Sequence, residues 1–189
     1  MVSKVLIANR GEIALRVIRA CQEMGIATVA VHSTADEKAM HVRLADEGVC
    51  LGPPAAKDSY LNIAAIVSAC EITGADAVHP GYGFLSENAK FVDVLDAHHI
   101  TFIGPTGDHI RLMGDKITAK DKVKELGIPV VPGSDGEVLS VEDAIKVGQD
   151  IGYPVLVKAS SGGGGRGMKI ARNDTEMKEA FSTARSEAK

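Results

Sequence analysis

The feature that most constrains the fold is an alternation of short apolar runs with segments whose apolar residues recur at helical spacing. Each run is bounded by Gly, Pro, Asn or Asp, which is typical of a strand. The runs are residues 5–8, 28–31, 49–51, 77–79 and 100–103. Between them the spacing becomes helical, as at Ala14, Val17, Ile18 and Cys21 and again at Ile63, Ile66, Val67 and Cys70. Because strands separated by helices cannot be joined by hairpins, the pattern predicts an α/β fold, an open doubly wound parallel sheet with helices on its faces.

A second unit is predicted after residues 127–136, which carry two prolines and three glycines. It reads as a helix, a strand at 154–159, a glycine loop, a strand at 168–171 and a final helix. The residues before it, 110–126, predict one charged helix that Gly114 weakens. We therefore expect a first domain at 1–112, a helical connector at 113–130 and a second domain at 131–189.

The final helix has a start signal but no stop signal. Asn173 and Glu176 form a predicted N-terminal capping pair, and the helical pattern then continues to Lys189 without a glycine or proline. Truncation is the expectation, and a frayed natural C-terminus is the alternative.

Charge and composition exclude several classes of function. Twenty-one basic residues stand against twenty-five acidic ones, a net charge of −4, so no global positive field attracts nucleic acid or an anionic membrane. No apolar segment has the length of a membrane span or the form of a secretory signal. Cys21, Cys50 and Cys70 are odd in number and widely spaced, which indicates reduced, packed thiols in a cytoplasmic protein. The net charge favours small-molecule partners. The histidines show no metal-ligand spacing, so we expect no metal site.

Two turns follow predicted strands at the edge of the sheet where ligands bind in such folds. Residues 9–12 follow the first strand, and residues 79–88 follow the fourth with an unusual density of turn formers. The alternative for the second turn is purely structural, a rigid turn that leads into a capped helix.

The strongest chemical signal is the glycine-rich loop between the strands of the second unit. Consecutive glycines let backbone N–H groups converge on phosphate oxygens, which indicates a polyphosphate ligand. Gly162, Gly164 and Gly167 match a dinucleotide pattern, but that pattern must enter a helix and this loop returns into a strand. Met168 stands where a Walker loop needs lysine. A hairpin lid over ATP is therefore predicted, with a flexible polar linker as the alternative.

Two lysines are candidate phosphate ligands. Lys158 ends an apolar run, where an ammonium group is costly to bury without an anionic partner. Its alternative role is that of an edge-strand lysine facing solvent. Lys116 by itself is an ordinary helix lysine, and only its context makes it a candidate.

The whole chain resembles the amino-terminal part of biotin carboxylases, the subunit of acetyl-CoA carboxylase and the matching domain of pyruvate and propionyl-CoA carboxylases. The resemblance rests on IANRGEIALRVIRA at 7–20, HPGYGFLSEN at 79–88, IRLMGDK at 110–116 and the glycine loop. It implies a pre-ATP-grasp domain followed by a partial ATP-grasp lid. The implied ATP-binding residues are Lys116, Lys158, Gly163, Gly164, Gly165, Arg166 and Gly167, and the implied substrate crevice holds Tyr82, Gly83 and Glu87. Many family members have a glycine where Ser161 stands.

The resemblance also implies a reaction. Family members activate bicarbonate with ATP as carboxyphosphate and carboxylate biotin on its carrier protein, which feeds acetyl-CoA carboxylation and fatty acid synthesis. Implied partners are ATP, Mg²⁺, bicarbonate, the biotin carboxyl carrier protein, carboxyltransferase subunits and a second copy in a homodimer. The family's magnesium ligands and catalytic residues lie beyond Lys189, so the chain alone is expected to be inactive. The alternatives are a non-catalytic nucleotide-binding module, a dinucleotide binder and a carbamoyl phosphate synthase relative.

Overall fold

The computed structural model describes residues 2–134, 136–158 and 168–187. The chain divides into two compact units, Met1–Gly114 and Asp115–Lys189. Unit 1 contains β1 (Lys4–Ile7), α1 (Gly11–Glu23), β2 (Ala27–Ser33), α2 (Met40–Leu44), β3 (Glu47–Gly52), a 3₁₀ turn (Ala56–Asp58), α3 (Ile63–Thr73), β4 (Ala77–His79), α4 (Ala89–Ala97), β5 (Thr101–Phe102) and α5 (Gly107–Gly114). Unit 2 contains α6 (Lys116–Glu125), α7 (Val141–Ile151), β6 (Val155–Lys158), β7 (Met168–Ala171) and α8 (Asp174–Glu187). Within the described part of the chain, no helix is long and apolar enough to cross a membrane.

Unit 1 is built on a five-stranded parallel sheet of order β3-β2-β1-β4-β5. The chain moves outward from β1 through β2 to β3 and then returns to place β4 on the other side of β1. The order of the strands therefore reverses between β1 and β4, which is the topological switch point where such sheets bind ligands. The predicted open parallel sheet is confirmed.

Helices cover both faces of this sheet because the buried central strand is apolar on both sides. Val5 and Ile7 of β1 pack in one cluster with Ile18 of α1. Leu6 packs in a second cluster that includes Phe91 of α4. Successive side chains of a strand point to opposite faces, so one short apolar run supplies two cores.

The three cysteines do not share one environment. Cys21 and Cys70 are buried, and burial raises both thiol pKa values, that of Cys70 to about 12 with a smaller contribution from Glu71. Cys50 is exposed, so the expectation that all three pack is wrong for this residue. It lies on β3, which among the described strands pairs only with β2 and forms an edge of the sheet.

Unit 2 is a helix-backed hairpin. Strands β6 and β7 pair antiparallel, with Leu156 opposite Ile170 and Lys158 opposite Met168. This pairing confirms the predicted hairpin and contradicts a dinucleotide-binding turn, which requires a helix after the glycines. Ala171 packs in the core of this unit with residues from α7 and α8.

The segment predicted as one helix over 110–126 is two helices. Asp115 lies between α5 and α6 in an extended conformation, and its carboxylate accepts a hydrogen bond of 2.7 Å from the Thr118 amide. An aspartate that caps the next helix cannot continue the previous one, so the break falls one residue after Gly114.

Candidate functional site

Unit 1 has a cleft of about 410 Å³ at the carboxyl ends of β1 and β4. Residues 9–13, which follow β1, and residues 82–84, which follow β4, line it. These are the two turns that the sequence singled out, and the cleft lies at the switch point of the sheet. The fold thus brings together two segments that are far apart along the chain.

Asn9 joins the two turns. Its side chain is almost fully buried, and Nδ2 donates hydrogen bonds of 2.8 Å to the carbonyl oxygens of Pro80 and Tyr82. Its Oδ1 accepts a hydrogen bond of 2.8 Å from the Arg10 amide. Gly81 has a φ of +63°, and a Cβ on it would lie 2.8 Å from Asn9 Nδ2. Only glycine satisfies both the backbone conformation and this close approach.

Tyr82 lies at the mouth of the cleft. The residue is 61% exposed, and its hydroxyl donates a hydrogen bond of 2.6 Å to Glu12 Oε1. This hydrogen bond is the main cause of a raised Tyr82 pKa, so the phenol stays protonated at neutral pH. Gly83 has a φ of +67° and also lines the cleft. An exposed aromatic ring beside a glycine allows a planar ligand to pack closely against the ring.

Glu87, the third predicted crevice residue, is exposed and does not line the cleft. Its neighbour Asn88 caps α4, because Asn88 Oδ1 accepts a hydrogen bond of 2.9 Å from the Phe91 amide. The structural alternative for residues 79–88 is therefore also present in the molecule. One end of the motif lines the cleft and the other starts a helix.

His79, the last residue of β4, stabilises the turn that follows this strand. Its Nδ1 accepts a hydrogen bond of 3.0 Å from the Gly81 amide, which requires the neutral ring with its proton on Nε2. Burial lowers the pKa of His79. A neutral ring at physiological pH keeps this acceptor in place.

Arg10 is held over the cleft by residues that the sequence did not single out. Its Nη1 donates a hydrogen bond of 3.2 Å to Asp36 Oδ2, and its Cζ lies 5.4 Å from the ring centroid of Tyr60 and 5.7 Å from that of Phe84. The two rings are stacked with centroids 5.0 Å apart. No local motif marks Asp36 or Tyr60. The only sequence signal for Asp36 is its position shortly after β2, the strand beside β1.

The Asp36 carboxylate collects several donors. Its Oδ2 accepts hydrogen bonds from the Tyr60 hydroxyl at 2.6 Å and the Ser33 hydroxyl at 2.9 Å as well as from Arg10. Burial raises the pKa of Asp36, but the hydrogen bonds from Tyr60, Ser33 and Arg10 outweigh burial and lower it overall. Burial and then the Asp36 carboxylate raise the pKa of Tyr60 to about 12. The carboxylate is thus ionised and the phenol protonated at neutral pH.

In unit 2 the predicted nucleotide residues lie on and beyond the hairpin. Directly opposed residues of an antiparallel pair share a face, so Lys158 shares its face with Met168, Leu156 and Ile170. All four side chains are exposed, which leaves the solvent-facing alternative for Lys158 open. Such a face could contact both parts of a nucleotide, because the Lys158 cation suits the phosphates and the apolar side chains suit the base.

The other nucleotide candidates divide into two groups. Lys116 is exposed and is the first residue of α6, directly after the Asp115 cap. Gly163, Gly164, Gly165, Arg166 and Gly167 lie outside the described residues. Over residues 2–134, 136–158 and 168–187, no group of three His, Cys, Asp or Glu side chains could hold a metal ion.

Two family models together match nearly the whole chain. Residues 1–110 match the model described as "Biotin carboxylase, N-terminal domain". Residues 115–189 match the model described as "Carbamoyl-phosphate synthase L chain, ATP binding domain". The boundary between the matches lies close to the boundary between the two compact units.

Curated relatives cover the chain from end to end. A biotin carboxylase of Nostoc sp. is 58% identical over 185 residues, which are 98% of this chain and 41% of that protein. The propionyl-CoA carboxylase alpha chain of Ruegeria pomeroyi is 52% identical over 188 residues, 100% of this chain and 28% of that protein. The chain therefore spans less than half the length of these relatives.

Solved structures agree with the family models. A biotin carboxylase from Campylobacter jejuni, described as a β-γ-ATP complex, matches with a TM-score of 0.94 and 48% identity over 100% of this chain and 42% of that one. The biotin carboxylase domain dimer of Hydrogenobacter thermophilus 2-oxoglutarate carboxylase, in complex with MgADP, ADP and bicarbonate, matches with a TM-score of 0.91 and 51% identity. That match covers 100% of this chain and 41% of the other.

Proposed function

The chain belongs to the biotin carboxylase family, and we propose that the protein containing it is an ATP-dependent biotin carboxylase. In this proposal bicarbonate attacks the terminal phosphate of ATP to give carboxyphosphate, and the carboxyl group then passes to biotin on its carrier protein. The product would supply acetyl-CoA carboxylation and hence fatty acid synthesis. The relatives' printed names and the ATP-binding family model support this reaction class.

One observation carries the proposal. The carboxylase motifs at 7–20 and 79–88 build a single cleft, joined by Asn9 to Pro80 across 71 positions of sequence. Ligands bind at the switch point of such sheets, and a concave, partly polar surface at that point is typical of a binding site.

Within this cleft we assign the carrier-bound biotin to the side of Tyr82 and Gly83. The exposed Tyr82 ring offers an apolar face, and the Gly83 backbone allows close approach of a ligand. Glu87 stays a proposed crevice residue, with a place at the outer end of the turn. The hydrogen bond from the Tyr82 hydroxyl to the Glu12 carboxylate holds the ring in one orientation.

We assign ATP to unit 2. Lys158, Lys116 and the loop residues 163–167 would bind the phosphates, and the apolar side chains beside Lys158 would contact the base. Magnesium, when bound with the nucleotide, would neutralise phosphate charge. The described residues offer it no cluster of ligands, so the proposal gives no residue of this chain that role.

The proposed partners follow from the reaction. They are the biotin carboxyl carrier protein, carboxyltransferase subunits and a second copy of the same protein. The dimer in the Hydrogenobacter structure supports the last of these. Free thiols at Cys21, Cys50 and Cys70 support a cytoplasmic location.

The test measures ADP release by the purified full-length protein in the presence and absence of bicarbonate and free biotin. We expect ATP cleavage that requires bicarbonate and is accelerated by biotin, and none from the 189-residue chain alone. ATP binding without cleavage by the full-length protein would favour a non-catalytic nucleotide-binding module and contradict the proposal.

A related carboxylase is the second candidate. The 52% identity to a propionyl-CoA carboxylase alpha chain over 188 residues favours it. Both candidates share the biotin carboxylation step and differ in the acceptor. Assaying carboxyl transfer to acetyl-CoA, propionyl-CoA and pyruvate with the matching carboxyltransferase separates them.

A further inference from the structure

Phe84, in the turn after β4, has a backbone conformation that its own side chain disfavours. Gly81, Gly83 and Phe84 all have left-handed backbones, with φ values of +63°, +67° and +43°. Glycine adopts this conformation at no steric cost, whereas a residue with a Cβ does so only where surrounding contacts hold it. The contacts of Phe84 therefore help to determine the path of the turn, which includes Tyr82 and Gly83.

The Phe84 ring stacks on the ring of Tyr60. The two centroids are 5.0 Å apart, and the ring planes differ by 12°. Arg10 Cζ lies 5.4 Å from the Tyr60 centroid and 5.7 Å from the Phe84 centroid, so its guanidinium group lies over both rings. Tyr60 lies between the 3₁₀ turn and α3, so the stack joins the turn to a segment that α3 and β4 separate from it in sequence.

Tyr60 is itself held at its hydroxyl end. The hydroxyl donates a hydrogen bond of 2.6 Å to Asp36 Oδ2 and accepts one of 3.0 Å from the Ser33 amide. A phenylalanine would fill almost the same volume, and a buried hydroxyl is costly without such partners. The two hydrogen bonds therefore fix the position of the ring, and with it the surface on which Phe84 stacks.

Tyr60 is separated from the interior of the cleft. It is 1% exposed and is not among the residues that line the cleft, whereas Phe84 and Arg10 are. A substitution at Tyr60 can therefore change ligand binding in the cleft only through the residues that Tyr60 contacts.

We propose that Tyr60 is a positioning residue for the biotin crevice, because its stack with Phe84 holds the turn in the conformation that presents residues 82 and 83 to the ligand. The inference rests on the proposed function for the identity of that ligand. The stack opposes the tendency of Phe84 to leave its left-handed conformation. The hydrogen bonds of the Tyr60 hydroxyl act one step further away, by fixing the ring.

The test measures biotin-accelerated ATP cleavage by Tyr60→Phe and Tyr60→Leu in the full-length protein. Tyr60→Phe keeps the stack and loses the hydrogen bonds, so we expect kcat/KM for biotin to fall about threefold. Tyr60→Leu also loses the stack, and the fall should be about tenfold or more. Bicarbonate-dependent ATP cleavage without biotin should be unchanged in both variants, because it does not need the turn. A merely structural role would instead lower the Tm and reduce both activities together.

Tyr153 supplies the matched control in unit 2. Its hydroxyl also donates to a carboxylate, Asp174 Oδ1, at 2.8 Å, and the residue packs against the core of that unit. Tyr153→Phe and Tyr153→Leu should leave kcat/KM for biotin unchanged relative to the activity without biotin. Similar losses of kcat/KM for biotin in the Tyr60 and Tyr153 variants would overturn the inference, as would unchanged values in both Tyr60 variants.

A double-mutant cycle tests the route through Phe84. Phe84→Gly removes the ring and makes the left-handed backbone favourable. Once this ring is absent, Tyr60→Leu should cause no further loss of kcat/KM for biotin. Losses that add independently would mean that Tyr60 does not act through Phe84, which contradicts the inference.

Hydrogen exchange followed by mass spectrometry separates this inference from the proposed function. The amides of Ser86 and Asn88 donate hydrogen bonds within the turn, at 2.9 Å and 3.1 Å, so their exchange reports on its stability. Exchange over residues 81–88 should be faster by about tenfold or more in Tyr60→Leu than in the wild type or Tyr153→Leu.

The two kinds of failure then differ. If the wild type cleaves no ATP but the exchange pattern appears, the proposed function fails and the positioning of the turn by Tyr60 stands. If biotin accelerates ATP cleavage but exchange of the turn is unchanged in Tyr60→Leu, the inference fails and the proposed function stands.

Discussion

At the scale of single residues, Asn9 determines whether the two turns of the cleft stay together. Its one side chain satisfies two buried carbonyl groups and one amide, which lie in segments with no strand pairing of their own. Two residues that line the cleft, Arg10 and Tyr82, are hydrogen-bonded to the Asn9 side chain through their backbone amide and carbonyl groups. The ligand geometry therefore depends on a residue that is itself almost inaccessible.

Replacing Asn9 with Ala should destabilise unit 1 and weaken substrate binding together. The change leaves buried polar groups without partners, so we expect the free energy of unfolding to fall by about 1–3 kcal/mol. Urea unfolding of both variants, followed by circular dichroism, measures it. Gln22→Ala is the control, because it removes an exposed amide that donates to the Leu44 carbonyl. Equal losses in the two variants would show that the Asn9 contacts contribute no more than a surface hydrogen bond.

We expect His41 to make the stability of unit 1 sensitive to acid. The residue is 1% exposed, and neither ring nitrogen makes a well-formed hydrogen bond. The nearby backbone of Val31 opposes part of the effect of burial on the His41 pKa. Burial lowers the His41 pKa below its ordinary value of 6.5. The unfolded state therefore takes up a proton at a higher pH than the folded state does.

The free energy of unfolding should fall as pH drops below 6.5, by at most about 1.4 kcal/mol per pH unit for this group. The stabilising difference is fully present above pH 6.5 and is lost on acidification. His41→Leu should reduce the slope by up to one proton, measured by urea unfolding between pH 5 and 7.5. The exposed His109→Leu is the control. A slope that is the same in His41→Leu and the wild type would contradict the prediction.

At the scale of elements, the turn between β4 and α4 requires glycine for two separable reasons. Gly81 and Gly74 both have left-handed backbones, with φ values of +63° and +67°. A Cβ at Gly74 would meet nothing within 4 Å, whereas one at Gly81 would meet the Asn9 side chain. The two positions therefore separate backbone strain from steric conflict.

Gly81→Ala should be more damaging than Gly74→Ala. Both substitutions incur the cost of a left-handed residue, about 1–2 kcal/mol. Gly81→Ala should add the loss of the Asn9 hydrogen bonds and raise the KM for biotin, while Gly74→Ala leaves this KM unchanged. Thermal unfolding and steady-state kinetics of the two variants test this. Indistinguishable variants would mean that Asn9 moves aside without consequence.

At the scale of the whole molecule, the division into two units separates the proposed tasks. Unit 1 would hold biotin at the carboxyl edge of its sheet, and unit 2 would bind ATP on a small hairpin. A two-stranded hairpin is stable only when something covers one face, and here α7 and α8 do so. Its other face, which carries Leu156, Lys158, Met168 and Ile170, is exposed.

Lys158→Met in the full-length protein should weaken binding of a non-hydrolysable ATP analogue about tenfold or more, because one charge-assisted phosphate contact is lost. Calorimetric titration measures the affinity. Lys146→Met, on α7 and paired with Asp143, removes the same charge from an exposed helix and should have little effect. If Lys158→Met binds the analogue normally, Lys158 is a solvent-facing edge lysine and the nucleotide assignment must move.

The sequence by itself determined the elements and their type. Periodicity, the Asn173 cap and the glycine loop between two strands are local signals, and the physical preferences behind them act within a few residues. The parallel alignment of the strands likewise follows from the pattern, because strands alternating with helices cannot be joined by hairpins. The predicted strands and the Asn173 cap are present in the structure, whereas the segment predicted as one helix over 110–126 is two helices. The glycine loop lies outside the described residues.

Only the tertiary structure decided which side chains meet and which face solvent. Asn9, Asp36 and Tyr60 have partners 24 to 73 positions away, and no local pattern specifies such pairs. Cys50 is exposed because its strand lies at the edge of the sheet, a property of strand order. Burial and long-range hydrogen bonding are set by how elements pack, so the cleft and its support become visible only when the chain is folded.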